Sequence, residues 1–361
     1  MGKRSKVFVG ISNTAGCAYF IARSLRLSGI NAISYAYSVH IYKYPIDKII
    51  FQVKYFDSNS PFHKRLFNKF FSLLNNFLRG FFFVCALAKF NTFFFISTKT
   101  MLRNNKDLPI LIFFHKKVIF FFIGCPERNP LSNINSKGIC GSCNDLHLKN
   151  SCLCNQADKK KELIQLLERY SNYIMGSPDV RGFLQFPERT IQGYAVSNEY
   201  FNDDILDKFH QPRIIISHIP SNEKLKRSKE IEEIIIKLQE QRELNIEYIS
   251  RANISNEESL QILEKSHILI DQFSGLHGLV SVEAMARGCV VIAKIADWFK
   301  EARPGLPIVN TDISNLQETL QELIQDKALM LSLAKKSLLY YQNMHSPQAV
   351  GRYYKERLNL Y

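Results

Sequence analysis

The chain has 361 residues, a hydrophobic share of 46% and a formal net charge of +14. That length predicts two domains, each large enough to bury its own core, with a composition ordinary for a soluble globular protein. No uninterrupted apolar run approaches the roughly 18 residues of a membrane span; the longest, Phe81 to Ala88, has eight.

Charge is spread unevenly. Residues 1–155 carry 21 Lys and Arg against 5 Asp and Glu, a balance of +16, and residues 156–361 carry 26 against 28, a balance of −2. A basic half beside a near-neutral half fits two domains with different partners. Such a surface attracts anionic lipid headgroups, nucleic acid or a phosphorylated ligand. The nucleic-acid alternative rests on charge alone, because no aromatic and basic recognition motif accompanies it; it predicts generic RNA binding that falls steeply with salt. The apolar run after Lys3, Arg4 and Lys6 is too short for a signal peptide. The chain is therefore expected in the cytoplasm, with its eight cysteines mostly reduced.

Lys6 to Ile11 reads as the first strand. The turn Ser12 to Gly16, a helix from Ala18 to Ser28 closed by Gly29, and a strand around Ala32 to Ala36 complete a βαβ opening. Pro61 to Phe90 is rich in phenylalanine and dotted with Lys64, Arg65, Lys69, Arg79 and Lys89. Two readings stay open for it. It is either a helix packed on a sheet with its cationic face in water, or a basic amphipathic helix resting in a membrane interface. Asn91 to Ser97 and Lys117 to Ile123 read as buried parallel strands.

Cys140-x2-Cys143-x8-Cys152-x-Cys154 is the dense cysteine cluster. Four thiolates could hold a tetrahedral zinc and pin the loop 136–156, a structural role because no water-activating His/Glu set surrounds them. The closing Cys-x-Cys is tighter than the usual knuckle, so uncoordinated thiols or a redox-dependent disulfide remain alternatives.

Lys159 to Tyr173 shows helical spacing in Leu163, Leu166, Leu167 and Tyr170. Ile174 to Ser177 reads as a short strand, and Pro178-Asp179 starts another helix. Periodicity fades from Gly193 to Pro212, where the chain is expected to cross between domains. The second domain opens with the strand Arg213 to His218, a loop holding Lys224 and Lys226, and a helix from Lys229 to Gln239. Asn245 to Ser250 is a strand, and Ser255 to Lys265 a helix opened by a Ser255/Glu258 capping box. Thr311 to Leu323 and Lys327 to Leu339 read as helices, and the tail Ser346 to Leu360 as a last, aromatic and basic one.

Ser266 to Lys294 organises the second half. A short buried strand, His267 to Ile270, ends in Asp271. A loop of small residues follows (Ser274, Gly275, Gly278), then a helix from Val280 to Ala286. Gly288 closes that helix in a left-handed cap, and Cys289 to Ala293 resumes a buried strand. This βαβ unit turns a helix N-terminus toward the carboxyl ends of the strands, where unpaired N–H groups favour an anion such as a diphosphate. Glu283, one turn inside the helix, could accept two hydrogen bonds from a ribose diol. An ordinary βαβ unit with no ligand is the plain alternative.

Here the sequence resembles the nucleotide-sugar site of GT-B glycosyltransferases, especially the family 4-like enzymes of bacterial surface polysaccharide synthesis. Glu283-Ala284-Met285-Ala286 and Gly288 match that family's EAMA-x-G run. Gly275 stands where many members have a first glutamate, and Asp271-Gln272 fits a subgroup with a DQ-x-x-G-x-x-G pattern. His218-Ile219-Pro220-Ser221-Asn222 resembles the subgroup's His-x-Pro-Ser-Asn segment. Lys226 falls on its downstream lysine, with Arg227 and Ser228 in place of Gly and Thr. Gly124 and Arg128 fit a Gly-x-Asp-x-Arg pattern in which Pro126 replaces the aspartate. The likeness reaches both ends of the chain and is weakest between residues 45 and 90 and across 129–158.

The resemblance implies an α/β GT-B fold, two Rossmann-like domains facing across a cleft. Residues 1–205 would form an acceptor-side domain and 206–345 a nucleotide-sugar domain, with 346–361 crossing back to the first. It implies transfer of a sugar from a nucleotide-sugar donor to a saccharide or lipid-linked acceptor at the inner face of a membrane, with no catalytic metal. Glu283 would hold the ribose; Gly278, Leu279 and Val280 the diphosphate; and Lys226, helped by Lys224, its charge. Ser221, Gly275 and His277 would complete the donor site. Gly16 and Arg128 would lie at the cleft, Arg128 with Glu127 beside it to hold an acceptor group. A GT-B protein that has lost catalysis and serves as a binding module is the rival reading.

Overall fold

The computed structural model of the chain describes residues 5–53, 62–124, 157–176, 184–194, 196–197, 204–241 and 244–361. Its first sheet contains β1 (Lys6–Ile11), β2 (Asn31–Ala36), β3 (Lys48–Ile49), β4 (Thr92–Ile96), β5 (Lys117–Phe121), β6 (Tyr173–Gly176) and β7 (Thr190–Gln192). They lie in the order β3-β2-β1-β4-β5-β6-β7, every pairing parallel. The strands are near-continuous apolar runs because both faces of the sheet are covered. Phe94 and Ile96 of β4 pack with α1 (Cys17–Leu27) on one side, whereas Phe93 and Phe95 face α2 (Phe62–Lys89), α3 (Leu108–Phe113) and α4 (Ala157–Arg169) on the other.

The second sheet has β8 (Ile214–His218), β9 (Ile246–Ser250), β10 (Ile268–Ile270), β11 (Val290–Ala293) and β12 (Val309–Asn310), in the parallel order β12-β11-β10-β8-β9. On one face sit α5 (Ser228–Gln239) and α9 (Leu316–Gln325). On the other sit α6 (Asn256–Lys265), α7 (Leu279–Met285) and the end of α10 (Lys327–Met344), while α8 (Asp297–Glu301) closes a small cluster of its own. Gly288 adopts the left-handed conformation after α7 (φ 63°), which returns the chain directly into β11.

The last helix, α11 (Pro347–Arg357), leaves the second lobe and packs on α1 of the first. Ser346 caps it, and Pro347 occupies its first turn, where a missing N–H costs nothing. Gly351 lets the two backbones approach, since a Cβ there would lie 2.1 Å from the Ser24 carbonyl oxygen. Tyr354, fully buried, exchanges hydrogen bonds of 2.9 Å with both the N–H and the carbonyl of Tyr194. The tail ends beside β1, where Ser5 N–H donates to the Tyr361 carbonyl at 2.6 Å.

Several sequence expectations shift. The helix expected to reach Tyr173 stops at Arg169: the Ser171 hydroxyl donates to the Glu168 carbonyl, and Asn172 accepts from the Val118 N–H at 2.8 Å, handing Tyr173 to the sheet. The helix expected from Thr311 begins with a 3-10 turn, Ile313–Asn315, before α9. α10 continues to Met344, beyond the expected Leu339. Within α2, Phe67–Lys89 is long and apolar enough to cross a membrane by length and composition. Counting uninterrupted runs missed this, because Asn75, Asn76 and Arg79 break the run without dominating its average. The helix expected at Pro178-Asp179, Glu127, Arg128 and the cysteine cluster lie outside the described residues.

Candidate functional site between the lobes

Asp271 ends β10 and is fully buried. One of its oxygens takes the Lys226 ammonium at 2.6 Å; the other accepts from the Gly278 N–H and the Ser281 hydroxyl, each at 2.6 Å. Burial alone would raise the carboxyl's pKa, but the Lys226 charge and these hydrogen bonds outweigh it and hold the group below its ordinary range. One carboxylate thus fixes the Gly loop, the first turn of α7 and the lysine of a separate loop. A Cβ at Gly278 would press on the same carboxylate, at 3.3 Å.

His218 sets the lysine loop from the other side. One ring nitrogen meets the Ile270 carbonyl and the other the Ser228 hydroxyl, both at 2.8 Å. Burial depresses its pKa to about 4, so the imidazole is neutral and works as a strut. It ties the end of β8 to β10 and to the start of α5, and the loop between carries Ser221 and Lys226.

Ser221 and Lys226 line a cavity of about 310 Å³ between the lobes, together with Gly278, Leu279, Val280 and Glu283. The start of α7 therefore opens onto a groove. Glu283 is almost fully buried and accepts a 2.8 Å hydrogen bond from the Asn256 side chain at the first turn of α6. Burial pushes its pKa up to about 7, although Asn256, Arg287 and Lys226 each pull the other way. The first lobe closes the cavity with Thr14, Ala15, His40, Tyr42 and Tyr44. The Tyr42 carbonyl accepts from the Asn256 N–H at 2.9 Å, so a loop of one lobe is bonded to the helix that holds Glu283 in the other.

The structure thus brings Ser221, Lys226, Gly278, Leu279, Val280 and Glu283 together around one cavity. It puts others elsewhere. Lys224 is exposed and does not line the cavity. Gly275 turns toward the next strand, its N–H on the Lys294 carbonyl and its carbonyl on the Ala296 N–H. His277 is half-buried away from the cavity, edge-on to Phe299 at 5.2 Å, with its pKa lowered to about 4 by desolvation of the ring and by Arg303. Gly16 stands behind the wall: a Cβ there would lie 2.8 Å from the Tyr44 ring, so the glycine lets Tyr44 reach the site. Sequence reasoning missed Asn256, His40, Tyr42 and Tyr44. The only signal was an aromatic Tyr-x-Tyr-Pro in a loop without periodicity.

Among the described residues no group of three or more His, Cys, Asp or Glu could hold a metal ion. A second cavity, about 250 Å³, lies in the first lobe at the carboxyl ends of its strands, lined among others by Ser12, Asn13, Tyr37 and Lys99 and sharing Thr14 and His40 with the first. Asn13 is buried there, with its side-chain oxygen unpaired among the described residues.

No family model matches the chain, and no curated protein matches it in sequence. Solved structures do match it in shape. Anabaena Alr3699/HepE in complex with UDP and glucose superposes with a TM-score of 0.58 at 12% identity, over 99% of this chain and 100% of that one. Sucrose-phosphate synthase from Thermosynechococcus elongatus gives 0.58 at 10% identity with the same coverage. A glycosyltransferase from Rickettsia africae gives 0.55 at 13% identity, covering 99% of each chain. The fold is GT-B: α/β, two parallel sheets flanked by helices and facing across a cleft.

Proposed function

We propose that the chain is a glycosyltransferase that moves a sugar from a nucleotide-sugar donor to a saccharide or lipid-linked acceptor in polysaccharide or glycoconjugate synthesis. The observation that carries this reading is the meeting of Glu283, from α7, with Ser221 and Lys226, from the loop between β8 and α5, around one cavity that the other lobe closes. Glu283 would accept the ribose hydroxyls in place of Asn256. Lys226 has three donors, of which Asp271 takes one, and it would meet the diphosphate. Departure of the nucleoside diphosphate builds negative charge. A cation already held in place stabilises that charge more in the transition state than in the ground state. The acceptor would enter the neighbouring cavity of the first lobe, among Ser12, Tyr37 and Lys99.

Uridine nucleotides are the first donors to try, because the Anabaena protein was solved with UDP and with UDP-glucose. A thermal-shift screen of nucleotide sugars against wild type and Glu283→Ala tests the reading. One donor class should stabilise the wild type and lose most of that effect in the variant. Equal stabilisation of both would remove Glu283 from the site. Binding without transfer or hydrolysis across the whole panel would favour a binding module, the reading that Gly275 in place of a carboxylate motivates.

A further inference from the structure

We propose that α2 docks the protein on an anionic lipid bilayer, lying in the plane of the interface with its outer face among the acyl chains. Phe67, Phe70, Leu73, Phe77, Phe81 and Val84 recur at helical spacing along that face, and each is between 55% and 70% exposed. The opposite face is committed to the sheet through Phe83 and Ala86. The helix therefore lies along the protein instead of threading a membrane, and its stripe has no partner within the described chain. A stripe of this kind, edged by cations, is what an interfacial helix presents to lipid.

Charge selects the occupant. α2 contains no acidic residue, and Lys69 and Lys89 are exposed on it. Arg103 and Lys106, also exposed, stand nearby, with Arg103 donating to the Ser72 hydroxyl at 3.2 Å. A second copy of this face would bring cations against cations. Anionic headgroups would neutralise them.

Geometry gives the docking a consequence. α2 runs antiparallel to the strands, because it ends at Lys89, directly before β4. Its middle is tied to the segments just past β2, β3 and β4. The Arg79 guanidinium sits 4.7 Å over the Tyr37 ring, Asn75 bonds both the N–H and the carbonyl of Val53, and Ser72 meets Arg103. That is the sheet edge onto which the Lys99 cavity opens. A bilayer under α2 would hold that cavity at headgroup level, so the acceptor it fits is one carried by the membrane. This last step rests on the transferase reading; the docking itself does not.

The test uses the full chain with no nucleotide sugar present. Phe77→Trp adds an indole on the apolar face to the single native tryptophan, Trp298. Vesicles of phosphatidylcholine with about one-third phosphatidylglycerol should shift its emission to the blue and sediment the protein, and pure phosphatidylcholine should do so far less. Phe70→Ser/Phe81→Ser, on exposed positions, should keep the wild-type melting temperature and lose about tenfold or more in vesicle affinity. Three results would overturn the proposal: no sedimentation with anionic vesicles, an unshifted indole in protein that does sediment, or a soluble dimer that the double variant dissociates. Because donor is absent throughout, none of them bears on the nucleotide site.

Discussion

Glu283, on the cavity wall, and Asp271, buried behind it, are two carboxyl groups whose surroundings push them in opposite directions. Asp271 faces an ammonium and two donors and stays ionised, whereas Glu283 is buried with a single amide for a partner. Its pKa rises from 4.5 to about 7. The folded state therefore holds this proton more tightly than the unfolded state does. Glu283 contributes stability that is fully present below pH 4.5 and lost as pH rises through about 7, on the order of 3 kcal/mol in all. Urea midpoints measured across that window should fall with pH more steeply in wild type than in Glu283→Gln; parallel curves would refute the assignment. The same shift links binding to protons. A diol is best received by the carboxylate, so donor binding near pH 6 should release a proton, seen in calorimetry as a heat that depends on the buffer's ionisation enthalpy.

At the scale of elements, the contact between α1 and α11 decides how the lobes are strapped together. Alanine is the better helix former by about 1 kcal/mol, so propensity alone would favour Gly351→Ala. Its methyl would collide with the Ser24 carbonyl, and rigid backbone cannot yield as a side-chain tip can. The variant should lose about 1–3 kcal/mol overall, measured as a lower urea midpoint, and an unchanged or higher midpoint would contradict the close approach.

The elements legible in the sequence were those whose pattern is local. β1, β4 and β5 are apolar runs, α6 announces itself with Ser255 and Glu258, and α7 with its closing Gly288 was readable from spacing. β3 and β12, two residues each, carry no period to read. α3 has six residues and hides in a run, Leu108–Phe113, that would suit a strand as well. The site divides in the same way. Glu283, Gly278 and Lys226 sit in stretches with a recognisable order, whereas Asn256 joins it only when α6 packs beside α7, and Tyr42 and Tyr44 only when the lobes meet.

At the scale of the molecule, the site belongs to neither lobe. The second lobe supplies the carboxylate and the cation; the first supplies an aromatic loop bonded to α6; and α11 returns to hold the two in register. A lobe-spanning cavity of this kind suits a two-part ligand, a nucleotide on one wall and the group it donates toward the other. Titration calorimetry of UDP-glucose, or of whichever donor the thermal screen selects, into wild type, Glu283→Ala and Lys226→Met tests that claim most directly. Saturable binding to the wild type should weaken about tenfold or more in each variant, the loss expected when a charge-assisted hydrogen bond is removed. The same affinity in all three proteins would contradict it.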